Sequence, residues 1–346
     1  MLGSDIVNAL LARLKARWFP KGFRRTANRC INQVVNRTTR KALADSFRRL
    51  RIEPGAVICV HSALSKLGHL VEGPESVILA LQDAAPDCTI MMPTFPVGST
   101  ALDYVQAKPV YDPIRTPSLS GLLTEAFRNM PAVRRSLHPT HPCAALGPRA
   151  AELIDGSELS AQPFGDASTY GRFSQLDDAV LLLIHTNNTS MVHRFQEIVN
   201  FPNLFLPEMF EVHGLDRAGV NRSYLLNVHT PVLPLYVALA ATETGECEYL
   251  WFPDYVVQFP RRHAERINAR LANSEARQYL NQRQAHFFET GVFRRANHHQ
   301  AELLAIRVKP WQERICQDLR HSMAAFKQFY ALESLQDAMK SGRLTH

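Results

Sequence analysis

The chain has 346 residues, of which 46% are hydrophobic and 21% charged, a balance typical of a globular protein with a sizeable core. No apolar run approaches the length of about 18 residues that crosses a bilayer. Arg13, Lys15 and Arg17 also interrupt the stretch that a secretory signal would require. We therefore expect a cytoplasmic protein without membrane spans.

The net charge of +7 is unevenly distributed along the chain. Residues 1–51 carry +11, residues 52–216 carry −9, and residues 217–346 carry +5. The acidic middle would attract a cationic small molecule, and no basic stripe interleaved with aromatic side chains indicates nucleic acid. The six cysteines are scattered without a CxxC pair, which favours reduced core residues over disulfides or a zinc site.

The first 43 residues are predicted to form a basic helical extension. Apolar residues recur every four positions from Ile6 to Trp18, and Pro20 ends this helix. A second helical stretch is predicted from about Arg24 to Arg51. Either the extension lies on an anionic membrane surface or partner, or it packs on its own domain or on a second subunit of a homodimer. We favour packing within the protein.

Residues 44–315 alternate between short apolar strands and amphipathic helices. Strands are predicted for AVICVH, TIMMPTF, CAALG and AVLLLI, and helices for PESVILALQDAA, SGLLTEAFRNM and PRAAELI. This order predicts an α/β domain with a mixed central sheet flanked by helices. Further strands are predicted in LLNVHTPVLPLYV and ECEYLWFPDYVV. A long polar helix follows, with residues 262–284 as an insertion, and residues 316–346 form a peripheral helical tail.

The densest cluster of chemically capable side chains is SLHPTHPCAALG, residues 136–147. Its prolines exclude a regular helix and predict a stiff loop that leads into a strand. Imidazole, with an unperturbed pKa of about 6.5, suits proton transfer near neutrality. From the residues alone, His138 and His141 fit a general base, half of a metal site, or a pair of structural loop histidines.

A second cluster, NNTSMVHRFQEI, follows the AVLLLI strand. His193 and Glu197 lie four residues apart and share a helix face. A carboxylate at a strand-to-helix transition can orient a histidine on a neighbouring loop, although this spacing equally fits a surface pair.

The turn HSALSKLGHL follows the first predicted strand of the domain. A strand that runs into small residues and then a helix presents backbone N–H groups to anions. Lys66 either pairs with a phosphate or is solvated. The turn lacks both the dinucleotide-binding and the P-loop glycine patterns. His298 and His299, without a cysteine or acidic partner at ligand spacing, do not indicate a metal site.

With these motifs in place, residues 44–310 resemble the aminoglycoside 3-N-acetyltransferase family. The matching segments keep their order and spacing: IEPGAVICVHSALSKLG, EGPESVILALQDA, TIMMPTF, YDPIRTPSLSGLLTEAFR, VRRSLHPTHPCAALGPRAAEL, QPFGDASTYGRF, AVLLLIHTNNTSMVHRFQE and, faintly, FFETGVFRRANHHQAELLAI. The resemblance implies an antibiotic N-acetyltransferase fold, acetyl-CoA as cosubstrate, no metal, and direct transfer to a sugar amine in a ternary complex.

The resemblance also implies roles for particular residues. By position, His141 is the catalytic base, Glu197 its orienting partner, and Asp112 a residue of the acceptor pocket. The positions that correspond to CoA contacts are His61, Ser62, Ala63, Leu64, Ser65, Lys66, Leu67, Gly68, Ser118, Pro142, Cys143 and Ala144.

The chain departs from the family pattern around the acceptor. Pro142 and Cys143 stand where the family usually has Ser and Val, and Ser120 stands where it has Met. The acceptor is therefore either an aminoglycoside-type amino sugar or a biosynthetic amine, such as a nucleotide- or lipid-linked amino sugar. A third hypothesis is an inactive scaffold or membrane-surface partner, against which the retention of His141 and Glu197 argues.

Overall fold

A mixed sheet flanked by helices organises the chain, and the computed structural model describes residues 36–230, 236–241, 247–258 and 261–331. The strands are β1 (Arg37–Thr38), β2 (Val57–Ser62), β3 (His69–Leu70), β4 (Thr89–Pro93), β5 (Val110–Tyr111), β6 (Arg134–Arg135), β7 (Cys143–Leu146), β8 (Ala179–Ile184), β9 (Phe205–Leu215), β10 (Asn221–His229), β11 (Tyr236–Ala241), β12 (Cys247–Trp251), β13 (Phe293–His298) and β14 (Ala301–Arg307). The helices are α1 (Arg40–Arg48), α2 (Glu75–Ala84), α3 (Ala101–Gln106), α4 (Leu122–Arg128), α5 (Ala150–Ile154), α6 (Thr169–Gln175), α7 (Met191–Ile198), α8 (Phe252–Val256), α9 (Arg261–Arg270), α10 (Ser274–Glu289) and α11 (Val308–Ala325).

The central sheet has seven strands in the order β13-β14-β8-β2-β4-β7-β6. Strand β2 is parallel to both β4 and β8, whereas the outer pairs are antiparallel. The predicted α/β class with a mixed sheet is confirmed. Strands β6 and β13 form the two edges of this sheet.

The apolar run in β2 explains why this strand lies at the centre. Val57 and Cys59 belong to the core on one face of the sheet, and Ile58 and Val60 belong to the core on the other. All four side chains are buried. A strand covered by helices on both faces is expected to be apolar without alternation, as this one is.

The sheet topology brings several loops to one edge. The parallel strands β2, β4 and β8 end at the same edge. Strand β7 runs antiparallel to β4, so its first residue, Cys143, lies opposite Pro93 at the end of β4. The loop before β7 and the segments after β2 and β8 therefore meet there, where open α/β sheets commonly bind ligands.

A long β-hairpin lies beside this edge. Strands β9 and β10 pair antiparallel, and β5 adds to β9 in parallel. The hairpin lies close to the loop before β7. A Cβ atom placed on Gly214 of β9 would be 3.5 Å from Cγ of Pro139 in that loop. The pairing register shifts between Asn227 and His229, which places His229 opposite Phe205. Irregularities of this kind redirect side chains near functional sites.

Two helical predictions were wrong in detail. The predicted long polar helix, with residues 262–284 as an insertion, is divided into α9 and α10, because Asn273 caps α10 by accepting from the Glu275 and Ala276 amides. The predicted tail boundary at residue 316 falls inside α11. Within the described part of the predicted tail, Leu319 and Tyr330 are buried, so this part is not peripheral.

The structure describes residues 36–43 of the predicted extension. Its predicted helix from Ile6 to Trp18 lies outside the described residues. The predicted second helix was wrong in part: Arg37–Thr38 form β1, and the helix described here is α1, which spans the predicted boundary at residue 43. Among the described cysteines all five are free thiols, namely Cys59, Cys88, Cys143, Cys247 and Cys316. No helix in the described ranges is both long and apolar enough to cross a membrane.

Candidate active site

The loop before β7 holds His141 in a defined orientation. The backbone N–H of His141 donates to Nδ1 of His138 at 3.1 Å, which closes a tight turn around Pro139. Nδ1 of His141 lies 2.9 Å from the hydroxyl oxygen of Thr140. If that oxygen accepts from Nδ1–H, the lone pair of the imidazole is on Nε2. The loop thus presents an oriented imidazole that can accept a proton.

The metal-site interpretation of the HxxH spacing finds no support in this geometry. Nδ1 of His138 is engaged by the loop backbone, and the two rings lie 6.0 Å apart at a steep angle. No group of three His, Cys, Asp or Glu side chains within the described ranges is arranged to hold a metal ion.

Aromatic rings surround His141. Its ring packs edge-to-face on Phe95 at 4.9 Å and on Phe164 at 5.2 Å. Phe164 is fully buried and also contacts the rings of His193 at 5.2 Å and His229 at 5.6 Å. Phe164 is therefore the common neighbour of three imidazoles from three parts of the chain.

Burial keeps these imidazoles neutral. It lowers the pKa of His193 and His229 to about 3 and that of His61 to about 4. Burial, followed by the nearby histidines, lowers the pKa of His141 well below its ordinary value. A neutral imidazole at pH 7 has a free lone pair and can act as a base.

A cavity of about 450 Å³ opens beside this ring cluster. Phe95 both lines the cavity and contacts the His141 ring, so a single phenylalanine connects the cavity with the imidazole. Its wall carries no charged side chain and comprises Val60, His61, Ser62, Leu64, Pro93, Phe95, Ser120, Gly121, Leu122, Leu123, Thr124, Thr186, Asn188 and Ser190. A long, uncharged, amide-bearing chain would suit such a wall.

Of the predicted CoA-binding turn, only part faces the cavity. His61, Ser62 and Leu64 line it, and the His61 ring nitrogen Nε2 lies 3.2 Å from the Tyr170 hydroxyl. Ser65 is exposed and Lys66 half-buried on a short 3₁₀ turn beyond the wall.

The remaining turn residues have packing roles. The Ala63 amide donates to the Ile184 carbonyl at 2.8 Å, and Leu67 is fully buried in the core. Gly68 has a φ of +88°, and a side chain there would collide with the Asn36 carbonyl. The turn therefore needs glycine at this position for its shape.

The three residues after His141 that were predicted to contact CoA do not line this cavity. Cys143 and Ala144 are fully buried in β7, and the Cys143 amide donates to the Ser136 hydroxyl. The Pro142 carbonyl accepts from the Thr94 amide at 2.8 Å. Because the sheet and its flanking loop use these groups, they do not face the cavity.

Ser118 supports the cavity wall without lining it. Its amide donates to Glu125 at 2.6 Å and its hydroxyl lies 2.7 Å from that of Thr124. Ser120, two residues later, lines the wall instead and accepts from the Phe95 amide. The TPS motif therefore lies beside the cavity, but sequence reasoning missed the residue that forms the wall.

Asp112 lies in a separate cleft. Its Oδ1 accepts from the Ile114 and Arg115 amides, which makes it the first residue of a tight turn. The cleft measures about 930 Å³ and is lined by Asp112, Pro113, Ile114, Arg115, Arg128, Asn129, Val133, Arg134, Arg135, Leu215, Asp216, Arg217 and Gly219. More arginines than acidic residues line this cleft, and we call it the arginine-lined cleft.

Glu197 has a different partner from the one predicted. Its Oε1 lies 2.8 Å from Nε2 of His229 and accepts from the Phe164 amide at 3.1 Å, and no hydrogen bond within the described residues joins it to His141. His193 and Glu197 do share a helix face, but that face points to the β9–β10 hairpin. Sequence reasoning missed His229 because long-range strand pairing alone brings it to the site.

The buried imidazoles make stability depend on pH. In an unfolded chain histidine has a pKa of about 6.5, so between pH 6.5 and 4 the unfolded state binds more protons than the folded state. As the pH is lowered through this range, the free energy of unfolding should therefore decrease by up to about 1.4 kcal/mol per pH unit for each such imidazole. Glu197 opposes this effect, because burial raises its pKa to about 8 and the folded state takes up a proton there.

Urea unfolding at pH 7 and pH 5 measures this dependence. We expect a lower free energy of unfolding at pH 5, since His61, His138, His193 and His229 outnumber Glu197. His193→Gln should reduce the difference between the free energies of unfolding at pH 7 and pH 5. Equal stability of the unchanged chain at both pH values would contradict the expectation.

The fold and the family are known from other proteins. The aminoglycoside acetyltransferase AAC(3)-Xa superposes with a TM-score of 0.59 at 20% identity, covering 83% of this chain and 94% of that chain. AAC-IIIb, solved as a binary complex with CoASH, superposes with a TM-score of 0.57 at 17% identity, covering 82% and 97%. These likenesses establish the antibiotic N-acetyltransferase fold. The family model described as aminoglycoside 3-N-acetyltransferase matches residues 59–317, and the chain belongs to that family.

A curated relative extends the comparison. Aminoglycoside N(3)-acetyltransferase IV of Salmonella sp is 36% identical over 156 residues. The match covers 44% of this chain and 57% of the relative, so the chain spans little more than half the length of that protein. The family resemblance inferred from the motifs is confirmed.

Proposed function

We propose that the protein transfers an acetyl group from acetyl-CoA to the amine of an amino sugar, directly and within a ternary complex. The observation that carries this proposal is the contact of Phe95 with both the uncharged cavity and the ring of His141. An acyl thioester at the Phe95 end of the cavity would lie near the imidazole. Family membership supports the same activity.

In this mechanism His141 is the general base. A neutral amine attacks the thioester carbonyl and forms the C–N bond, and Nε2 of His141 takes the proton that the nitrogen loses. Collapse of the intermediate breaks the C–S bond, and the imidazolium returns its proton to the leaving thiolate. Thr140 holds the imidazole tautomer throughout, in the role that the sequence predicts for Glu197.

The cavity is the proposed donor site. Its uncharged wall of small polar and apolar residues fits a pantetheine arm, which carries amides but no charge. The structure of AAC-IIIb as a binary complex with CoASH supports CoA binding by a protein of this fold.

Blocking the cavity should weaken donor binding. Asn188 lines the cavity and its side chain is exposed, so Asn188→Trp can place an indole in the opening without disturbing the core. We expect the Kd for CoA, measured by isothermal titration, to rise at least about tenfold. Asn188→Ala is the matched control and should bind as the unchanged chain does. Unaltered affinity in the tryptophan variant would place the donor elsewhere.

An aminoglycoside-type amine is the first candidate acceptor. Residues 52–216, which supply most of the site, carry a net charge of −9 and would attract a polycation. The names of the family and of the Salmonella relative point to the same acceptor class.

The arginine-lined cleft favours a second candidate, a phosphate-bearing amino sugar. Arg134 and Arg217 share the single carboxylate of Asp155, and Arg115 is almost fully exposed, 3.9 Å from Asp112. The cleft thus has unbalanced guanidinium groups, which bind phosphate well. The acceptor would then be a nucleotide- or lipid-linked amino sugar.

A panel assay tests the proposal and separates the two acceptors. Release of free CoA from acetyl-CoA is measured with aminoglycosides, nucleotide-linked amino sugars and simple amino sugars. Turnover that depends on an amine supports acyl transfer, and the preferred class identifies the acceptor. Arg115→Ala should reduce turnover of the phosphate-bearing class alone. No turnover of any amine would overturn the proposed activity.

A further inference from the structure

The arginine-lined cleft adjoins the segment that contacts His141. Arg135 lines the cleft from β6, and its Nε donates to the Thr94 hydroxyl at 3.0 Å. Thr94 directly precedes Phe95, whose ring packs on the imidazole of His141. The cleft and the uncharged cavity have no lining residue in common. The cleft is therefore a second concave region beside the same loop, separate from the proposed donor site.

The two carboxylates that line the cleft are engaged by the turns that they begin. Oδ1 of Asp112 accepts from two backbone amides of its turn. Oδ1 of Asp216 does the same at the hairpin turn, where both distances are 2.9 Å. The other oxygen of Asp216 accepts from Nε of Arg222 at 2.9 Å. These two acids therefore hold the backbone that frames the cleft.

Guanidinium groups outnumber carboxylates around the cleft. Among the described residues, five arginines line it against two aspartates. Glu125 and Asp155 pair with lining arginines from outside the cleft, and Arg222 pairs with Asp216. With these three included, six guanidinium groups face four carboxylates in the described part of the chain. The excess of positive charge attracts anions to the cleft.

Arg135 adds a buried cation that only neutral groups hold. The residue is 6% exposed. Its guanidinium donates to the Thr94 hydroxyl and to the carbonyls of Thr94, Pro113 and Thr116. It also lies 5.3 Å from the centroid of the Tyr111 ring. Because a buried charge is poorly screened, this guanidinium raises the positive potential of the cleft that it lines.

Arg134 of β6 and Arg217 of the hairpin turn converge on one carboxylate. Their Nη2 atoms lie 2.6 and 2.8 Å from the two oxygens of Asp155. The side chains of Arg134, Asp155 and Arg217 are 43%, 44% and 50% exposed. Ion pairs this exposed contribute little, so a ligand can replace the carboxylate at low cost. Two guanidinium groups that meet at one acceptor suit the several oxygens of a phosphoryl group.

We infer that the arginine-lined cleft is a phosphate-binding site in which a phosphoryl group replaces the Asp155 carboxylate between Arg134 and Arg217. Arg115, whose side chain is 89% exposed, provides a further donor at the cleft surface. Arg135 is too buried to be the main contact and acts through its charge. The shared chemistry of the ligand is a phosphate ester or diphosphate.

The site deepens the second candidate for the acceptor, and this assignment to the acceptor rests on the proposed function. An amino sugar that is held by its phosphate in the cleft would present its amine beside the His141 loop, while the donor occupies the separate cavity. The same arginines would repel a polycationic aminoglycoside. Phosphate binding itself requires neither acetyl-CoA nor transfer, so it can be measured alone.

Isothermal titration of the full chain with inorganic pyrophosphate tests the site. We expect Arg134→Gln and Arg217→Gln each to raise the Kd at least about tenfold. Asp155→Asn removes the competing carboxylate and should lower the Kd. Arg48→Gln is the matched control, because it removes the same charge from an exposed pair with Asp45 on α1 and should leave the Kd unchanged. No binding by the unchanged chain, or the same Kd in all these proteins, would overturn the inference.

Two further arms identify the source of the phosphate. Uridine diphosphate, titrated in solution, represents a nucleotide-linked ligand. Vesicles of phosphatidylcholine with phosphatidic acid, tested by cosedimentation, represent a lipid-linked one. Binding in either arm that Arg217→Gln loses and Arg48→Gln keeps supports the site and names the source. Binding that both variants keep equally would place the anion outside the cleft and overturn the inference.

Phosphate binding and acetyl transfer can fail separately. If the unchanged chain acetylates an amine but binds no pyrophosphate, only this inference fails. If it binds pyrophosphate through Arg134 and Arg217 but acetylates no amine, the phosphate site is supported and the proposed function fails. If Arg217→Gln loses pyrophosphate binding yet turns over phosphate-bearing amino sugars as the unchanged chain does, the assignment of the phosphate to the acceptor is overturned.

Discussion

Replacing His141 by alanine is expected to lower kcat by about 100- to 10,000-fold, the usual contribution of a general base. The side chain packs against Phe164 and against Phe95, which lines the uncharged cavity, and it is oriented by Thr140. Because the loop is closed by the His141 amide rather than by its ring, alanine should leave the backbone in place.

Steady-state turnover of the acceptor identified by the panel assay measures this loss. CoA affinity should be unchanged, since the cavity wall does not include His141. His213→Ala, a half-buried histidine on β9, is the control and should retain full activity. Full activity of the His141 variant would remove the general base from the mechanism.

Replacing Asp318 by alanine is expected to destabilise the fold by about 3–5 kcal/mol, because it leaves a buried guanidinium without its carboxylate. Asp318 Oδ2 lies 2.8 Å from Nη1 of Arg283, and the two side chains are 6% and 4% exposed. Tyr279 also donates to Asp318 at 2.5 Å, and the Arg283 guanidinium lies 4.5 Å from the centroid of the Tyr255 ring.

Denaturant unfolding of both proteins measures this difference. The matched control is Asp177→Ala, since Asp177 pairs with Lys309 at 2.6 Å but is 87% exposed. Exposed pairs contribute at most about 1 kcal/mol, so that variant should be nearly neutral. Similar losses for the two variants would contradict the assignment of the buried pair. Both α10 and α11 should loosen in the Asp318 variant, since Arg283 joins them.

The central strands were predictable because their signal is local. β2 and β8 are continuous apolar runs, and burial on both faces explains their composition. The outer strands of the sheet, in contrast, have no such local signal in the sequence. β6 is only two residues long, and Arg134 and Arg135 carry no strand signal, since their place is set by pairing with β7. The break at Asn273 is consistent with a helix cap, but the polar periodicity on both sides concealed it.

The site was predictable where one segment supplies the chemistry. The prolines around His141 identify a rigid loop, and the structure places that loop at the sheet edge. Glu197 was singled out from its spacing, but its partner depends on a hairpin closed across more than thirty residues. Periodicity contains no information about such contacts. Phe95, which lines the cavity, and Phe164, which packs on His141, were missed because nothing in the sequence distinguishes them from other aromatic residues of core segments.

The two edge strands of the sheet bear on how copies of the chain meet. β6 carries Arg134 and Arg135, and β13 carries Arg294 and Arg295. Unpaired strand edges can recruit a neighbouring chain into a continuous ladder, and adjacent like charges oppose this. Any edge-to-edge union of two sheets would bring arginines from both molecules together. We therefore expect the exposed Arg134 and Arg295 to disfavour such a union.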